Sequence, residues 1–172
     1  MAKAVLLDSG FLIRLMNPDE LLHPVAMRWF RGFVEQGVQC KVSTIALAEY
    51  GVKDDLAHLP MQYLQVLPFH YNHAACAARL MRTVLRVKQE RGAVIHPRAV
   101  IPNDTKMFAQ ASSEDDIESF VSADSEARKV YDLLEQPEFG FIDIRECEFT
   151  PNVEDNPTHV NATRPSEDES SS

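Results

Sequence analysis

Four acidic residues that are far apart in the sequence each stand where a strand or a helix could direct them at one point. They are Asp8, Glu49, Asp104 and Asp124. Asp8 and Asp124 follow short apolar, strand-like runs, whereas Glu49 and Asp104 stand in helix-like segments. Converging carboxylates are hard oxygen ligands, and a Mg²⁺ or Mn²⁺ site of this kind is a common device for hydrolysing phosphodiesters. We therefore predict that these four residues form a catalytic site for Mg²⁺ or Mn²⁺.

The bulk composition favours one globular domain in a reducing compartment. The chain has 172 residues, of which 45% are hydrophobic, which suits a single domain with a substantial core. No apolar run approaches the roughly 20 residues of a membrane span, and the N-terminus lacks a secretory pattern. Cys40, Cys76 and Cys147 are scattered and odd in number, which argues against a disulfide framework. We expect a cytoplasmic protein that does not enter a membrane.

The net charge of −9 does not by itself exclude a nucleic-acid partner. Five acidic residues and one arginine lie in the segment from Thr150 onward. The four proposed metal ligands would be offset by bound cations. Between Arg79 and Lys106 the chain carries seven basic residues against two acidic ones. The body of the chain therefore contains a locally basic segment.

Strand-like and helix-like patterns alternate along the chain. Strands are predicted at residues 3–7, 38–43, 64–69 and 117–122 and near 141–144. Helices are predicted at residues 9–16, 24–36, from 45 past 50, 72–91, 103–111 and 125–134, with Thr44 as the cap of the third and Gly92 ending the fourth. This alternation predicts a three-layer, Rossmann-like α/β/α sandwich around a central, mainly parallel sheet.

The predicted sheet gives the acids a common location. In open parallel sheets, ligands bind beyond the carboxyl ends of the strands, and both Asp8 and Asp124 are predicted at such ends. We expect residues 1–149 to form the folded domain. The segment 150–172 is acidic, rich in Ser, Pro and Asn, and lacks apolar periodicity, so we expect a disordered tail.

Four segments of the sequence resemble the PIN-domain nucleases, particularly the toxin halves of virulence-associated bacterial toxin–antitoxin pairs. They are VLLDSGFLIRLM, KVSTIALAEY, NDTKMFAQA and FVSADSE, in the family's order at plausible spacing. The resemblance covers about residues 3 to 145. It departs from the family's pattern at Gly10, where a polar side chain is frequent, and at residues 125–127, which lack the usual aromatic residue.

The resemblance implies a PIN-like fold and a metal-dependent (endo)ribonuclease that uses Mg²⁺ or Mn²⁺. Asp8, Glu49 and Asp104 match the family's three principal acids, and Asp124 matches the fourth. Ser9 stands where the family commonly has a hydroxyl residue, and Glu126 is a candidate accessory acid; both would act beside the metal ligands. The resemblance also implies an antitoxin protein as a partner.

Basic residues suggest where RNA could bind. Arg79, Arg82 and Arg86 have the spacing of one helix face, which favours either a stripe that contacts the RNA backbone or an ordinary solvated face. Arg98 and Lys106 lie nearer the acids in sequence and are further candidates for phosphate contacts.

Each proposed ligand also has a structural interpretation. Asp8, Asp104 and Asp124 could cap helices, and Glu49 could be an ordinary exposed helix residue. His70 and His73 have an HxxH spacing, but no acid or cysteine nearby in sequence completes a set of zinc ligands, so we do not predict a zinc site there.

Three functions remain open at this stage. The first is a metal-dependent ribonuclease, the toxin of a toxin–antitoxin pair, whose apolar residues at 11–16 and 29–34 form a homodimer or antitoxin surface. The second is a PIN scaffold that binds RNA or protein without turnover. The third is a phosphohydrolase that acts on a small phosphate ester.

Overall fold

A computed structural model describes residues 3–90 and 103–146 of the chain. Within these residues, five strands span β1 Ala4–Leu7, β2 Gln39–Ser43, β3 Leu64–Leu67, β4 Ile117–Ser122 and β5 Gly140–Asp143. The same part of the chain forms six α-helices, α1 Ser9–Met16, α2 His23–Glu35, α3 Thr44–Tyr50, α4 Tyr71–Glu90, α5 Asn103–Ser113 and α6 Ser125–Tyr131, and short 3₁₀ turns at Leu56–His58 and Met61–Tyr63. The predictions for Gly92, Arg98 and residues 150–172 lie outside the described residues. Within residues 3–90 and 103–146, no helix is long and apolar enough to cross a membrane.

The strands form one parallel sheet in the order β3-β2-β1-β4-β5. This arrangement confirms the predicted α/β fold with a central parallel sheet. The strand order reverses at β1, since the chain adds β2 and β3 on one side and later β4 and β5 on the other. With right-handed crossovers, the helices between β1 and β3 cover one face, and α4, α5 and α6 cover the other. The first strand in the sequence, β1, therefore lies at the centre of the sheet.

The core is built on β1, whose four residues are all buried, as a strand covered on both faces requires. On the α5 side, the core is aromatic. The ring of Phe108 meets Phe120 edge to face, with 4.9 Å between the ring centroids. Tyr131, Phe139 and Phe141 pack around the same ring. This cluster holds α5 against β4 and β5, and thereby fixes the helix that carries Asp104.

The predicted elements differ from the observed ones mainly at their ends. Ser43, rather than Thr44, caps α3, because its Oγ accepts a hydrogen bond from the Ile45 amide. The hydroxyl of Thr44 instead accepts a hydrogen bond from the amide of Phe69. β3 ends at Leu67 rather than at residue 69, since the proline that follows cannot donate to a strand ladder.

The apolar residues predicted for a partner surface are mostly buried within this chain. Phe11 and Leu12 have no exposed surface, and Trp29 and Phe33 are also buried. Val34 is the most exposed apolar residue of 29–34, with 36% of its surface accessible. Most of the apolar excess assigned to a partner from sequence is therefore the chain's own core. Ile13 and Met16 are only partly buried, so a partner surface that includes them stays a prediction.

Replacing Phe108 with Ala should destabilise the protein strongly. The substitution leaves a cavity in a fully buried aromatic cluster, and changes of this kind typically cost about 3–5 kcal/mol of unfolding free energy. Tyr71→Ala is the control, because that ring is 85% exposed and its loss should change stability by less than about 0.5 kcal/mol. Urea denaturation would measure both. Equal midpoints for the two variants would contradict the described core.

Candidate functional site: a carboxylate cleft

The four predicted acids line one open cleft of about 790 Å³ at the carboxyl end of the sheet. Asp8 directly follows β1, and Asp124 lies two residues beyond β4, the strand beside it. Glu49 lies on α3, which starts where β2 ends, and Asp104 is in the first turn of α5. The structure thus brings together side chains from four separate segments, at the point where strand order reverses.

Asp8 is the most deeply placed of the four acids, with 4% of its surface exposed. Its Oδ2 accepts a hydrogen bond from Ser122 Oγ at 2.8 Å, and its Oδ1 lies 3.3 Å from Ser9 Oγ, whose single proton is directed at Glu49. Its side chain makes no capping hydrogen bond to α1, so the capping interpretation does not describe its contacts. Burial raises the pKa of Asp8, the Ser122 hydrogen bond opposes this, and repulsion from Glu49 and Asp124 adds to it.

Glu49 is held from two sides. Ser9 Oγ donates a hydrogen bond to its Oε2 at 2.6 Å, and Asn103 Nδ2 donates to its Oε1 at 2.5 Å. Lys106 Nζ in turn donates to Asn103 Oδ1 at 3.0 Å. Ser9 therefore contacts two of the proposed ligands, which agrees with its predicted position beside them. The ammonium group of Lys106, which was predicted to contact phosphate, donates its hydrogen bond to Asn103 in the structure.

Asp104 carries the clearest electrostatic signature in the cleft. Its pKa is raised to about 7, chiefly by burial and then by repulsion from Asp8, Asp124 and Glu49. Among the described residues, none donates a hydrogen bond to its carboxylate. A half-buried carboxylate facing three others without a cation is unfavourable when ionised, and a bound cation would relieve this.

Asp124 is exposed, and both its side chain and its backbone amide form hydrogen bonds. Its Oδ1 accepts a hydrogen bond from the Glu126 amide at 2.8 Å and so caps α6, while it also lines the cleft. Its own amide donates to Ser122 Oγ at 3.0 Å. Glu126 is fully exposed and pairs with Lys129, which lowers the pKa of Glu126. Glu126 does not line the cleft, so its predicted role beside the metal has no contact in the described structure to support it.

Ser122 and Asn103 are site residues that the sequence prediction did not assign. Ser122 donates to Asp8 and accepts from the Asp124 amide, so one hydroxyl links two of the acids. The hydroxyl two residues before the fourth acid was visible in the FVSADSE segment. Asn103 was visible only as a helix cap, because nothing in its neighbourhood in sequence points to Glu49.

Three basic residues lie on the rim of the same cleft: Arg14, Lys53 and Arg145. Arg14 donates to the carbonyl oxygen of Gly10 at 2.8 Å. A Cβ atom at Gly10 would lie 3.0 Å from the Arg14 guanidinium and 3.1 Å from Asp8 Oδ2. The glycine, where the resembled family often has a polar side chain, therefore leaves the space in which Arg14 approaches the first acid.

The predicted arginine stripe lies on α4 and does not line the cleft. Arg79 contacts Cys76 Sγ, Arg86 pairs with Glu90 and Glu135, and Arg82 is exposed. Arg86 is thus already engaged by two carboxylates. Arg98 falls outside the described residues. The α4 stripe stays a predicted RNA surface, at a different place from the cationic rim.

The residues of the cleft fit a Mg²⁺ or Mn²⁺ ion. All four candidate ligands offer carboxylate oxygens, the hard donors that these ions prefer. Asp8, Glu49 and Asp104 would hold the ion, with Asp124 at the open side. Hydrogen bonds from Ser122, Ser9 and Asn103 orient two of these carboxylates, as the outer groups around a metal commonly do.

Fold and cleft together define a parallel α/β protein with an acidic site at its topological switch point. No protein-family model matches the sequence, and no curated protein matches it significantly. Among solved structures, the chain is similar to one chain of the VapBC2 complex from Rickettsia felis, which was solved bound to a DNA fragment from the VapBC2 promoter. The TM-score is 0.55 at 15% sequence identity, over 81% of this chain and 97% of the other.

A second solved structure gives the same result. A chain of DNA-bound VapBC from Salmonella typhimurium superposes with a TM-score of 0.52 at 18% identity, over 84% of this chain and 99% of the other. The resemblance to toxin–antitoxin proteins expected from the sequence is thus confirmed at the level of the fold.

The metal-free protein should become more stable when Asp104 is replaced by Asn. The folded-state pKa of Asp104, about 7, lies above the ordinary value of 3.8, so the folded protein binds more protons between these values and loses stability as pH rises through them. Asp104→Asn removes this loss, raising the melting temperature in chelator at pH 8 and flattening its pH dependence.

Differential scanning calorimetry between pH 4 and pH 8 would measure this effect, which should amount to a few degrees, given about 2–4 °C for each kcal/mol. Asp19→Asn, at an exposed acid outside the cleft, should not flatten the curve. An equally steep pH dependence in Asp104→Asn and wild type would contradict the electrostatic account.

Proposed function

We propose that this chain is a metal-dependent endoribonuclease of PIN type, and the toxin of a toxin–antitoxin pair. The observation that carries this proposal is the convergence of Asp8, Glu49, Asp104 and Asp124 in one cleft. Burial, together with repulsion from the other three acids, raises the pKa of Asp104 to about 7. Strained, converging carboxylates at the ligand-binding edge of a parallel sheet are typical of a divalent-metal site that acts on phosphate.

In this mechanism, the side chains of the cleft would hold and orient a divalent metal ion. Bound Mg²⁺ or Mn²⁺ would supply a water of lowered pKa and would offset negative charge on the phosphate. Ser122 fixes the orientation of the Asp8 carboxylate, and Ser9 and Asn103 fix that of Glu49. These contacts keep the carboxylate oxygens turned into the cleft before any ligand arrives, so little reorganisation is needed on binding.

Basic residues of the rim would hold the RNA backbone. Lys53 is exposed and lines the cleft beside Glu49, and Arg14 approaches Asp8 from the α1 side. Arg145 lies on the rim after β5, although Asp143 already engages its guanidinium. A polyanion can thus meet positive charge next to a site that would otherwise repel it.

The toxin assignment is supported by the fold of the two similar proteins, both of which are VapBC complexes. A smaller cavity of about 220 Å³ adjoins the carboxylate cleft and shares Ile13 and Lys53 with it. Met16, Pro18 and Tyr50 add apolar surface to this cavity. We propose that an antitoxin segment lies across it, which would block the cleft. A homodimer and a cytoplasmic location stay predictions.

Cleavage of RNA should require both a divalent metal and the acids of the cleft. With a pool of single-stranded and structured RNA, wild type should cut in Mn²⁺ or Mg²⁺ and not in chelator. Asp8→Asn and Asp104→Asn should each lower the rate by roughly 100-fold or more, since removing one preorganised charge-stabilising group costs about that much. Asp132→Asn is a matched control, because that acid pairs with Arg128 on the surface.

The same assay separates the proposal from its two rivals. RNA binding without cleavage in either metal would identify a binding module. Hydrolysis of a small chromogenic phosphate ester, with intact RNA, would identify a phosphohydrolase. Cleavage that persists in both aspartate variants would place the active centre elsewhere.

Lys53→Ala and Arg82→Ala compare the cationic rim with the α4 stripe. We expect Lys53→Ala to weaken RNA binding at every sequence and to reduce the salt slope of log Kd by about one phosphate contact. Arg82→Ala, at an equally exposed position on α4, should have the smaller effect. Fluorescence anisotropy with catalytically inactive Asp104→Asn protein would measure both. The reverse order would favour an RNA path along α4.

A further inference from the structure

A second group of metal-binding side chains lies at the other end of α5 from Asp104. His70 and His73 stand at the start of α4, and Glu114 directly follows α5. One ligand atom from each lies within 4.8 Å of the others. Because α5 spans 11 residues, about 16 Å at 1.5 Å per residue, this group is separate from the carboxylate cleft. We propose that His70, His73 and Glu114 bind a zinc ion.

Two of the three ligands are already in place. His73 Nε2 lies 3.2 Å from Glu114 Oε1. Ligands held about 2.0–2.1 Å from a tetrahedral zinc lie about 3.4 Å from one another. The side chain of His73 is fully buried, so packing fixes its ring. The distance between these two atoms is therefore what a zinc ion requires, without movement of the buried residue.

His70 is the adjustable ligand. Its ring is stacked on that of His73, with 3.7 Å between centroids, and the residue is exposed. Among the described residues, neither ring nitrogen of His70 has a hydrogen-bond partner. A rotation of this side chain would bring one nitrogen to the metal and would break the stacking contact with His73. Solvent would occupy the fourth position, since His70 lies at the surface.

The charges around the three ligands leave the negative charge of Glu114 available to a cation, because Asp116 neutralises Lys41. The Lys41 ammonium lies 2.7 Å from Asp116 Oδ1 and 3.7 Å from the second oxygen of Glu114. Its side chain is only 6% exposed, which is unusual for a lysine in the middle of a strand. One positive group thus faces two carboxylates, and the cluster keeps one negative charge in excess. Lys41 also orients Glu114 from outside, as groups around a metal often do.

Metal binding requires a change of tautomer at His73. Without metal, Nδ1 faces the His70 amide at 3.3 Å, which leaves the proton on Nε2, directed at Glu114. Coordination through Nε2 transfers that proton to Nδ1, so the long amide contact is given up. The His70 amide can be hydrated instead, because that residue is exposed. Two imidazoles and one carboxylate suit zinc better than Mg²⁺, which prefers oxygen ligands alone.

The site can be isolated from the carboxylate cleft by working in full-length protein carrying Asp8→Asn and Asp104→Asn. Zinc affinity is measured by competition with a chromogenic chelator, and ligand type by the visible absorption of bound Co²⁺. The parent should bind one zinc at micromolar concentration or below, and Co²⁺ should give the intense bands of a tetrahedral site. His70→Ala should weaken zinc binding by at least about 10-fold, as expected for loss of a group that binds or orients a metal.

His58→Ala is the matched control, because His58 is also exposed and pairs with Asp54 away from the group; it should bind zinc as the parent does. His70 is chosen over His73 because replacing the buried ring would disturb folding. Equal affinity in His70→Ala and the parent, or no binding by the parent at micromolar zinc, would overturn the proposal. Either result would leave the Glu114 contact as a hydrogen bond that satisfies a buried histidine.

Discussion

The repulsion between four carboxylates at the end of the central strands is the constraint on which the rest of the site depends. A parallel sheet whose order reverses at β1 brings the ends of β1 and β4 side by side, and Asp8 and Asp124 come with them. Burial then removes the solvent that would screen the charges, so the pKa of Asp104 is raised to about 7. The fold tolerates this because the stabilising contacts lie elsewhere, in the aromatic cluster around Phe108.

The hydrogen bonds around the acids show which carboxylates the fold stabilises with donors and which it leaves without a donor among their negative neighbours. Asp8 and Glu49 receive hydrogen bonds from Ser122, Ser9 and Asn103. Asp104 receives none within the described part of the chain, and Asp124 is engaged by the start of α6. Two acids are thus fixed in direction, and Asp104 is the one whose charge depends most on what else enters the cleft. A carboxyl group in a cleft whose pKa is raised by burial and by charged neighbours is a candidate for a functional role.

The sequence was informative where local patterns determine structure. Apolar runs predicted all five strands, and the alternation with helices predicted the parallel sheet that unites the acids. It was less informative about contacts between distant segments. Glu114 completes a group with His70 and His73 across 41 residues, so the HxxH spacing alone gave no sign of a third ligand. The apolar residues of α1 and α2 were assigned to a partner because hydrophobicity along a helix does not tell which layer will cover it.

The order in which the strands enter the sheet has a consequence for biosynthesis. β1 is made first, but its neighbour β4 follows only after more than a hundred residues, and the contact between Ser122 and Asp8 joins positions 114 residues apart. During synthesis, the emerging chain therefore has a central strand without one of its neighbours and a cleft without Asp104 and Asp124 until those segments are made. Contacts of such long range form late and slowly. The acidic site is complete only once Asp124 has been synthesised, and a chain that stops before Asp104 carries only two of the four acids.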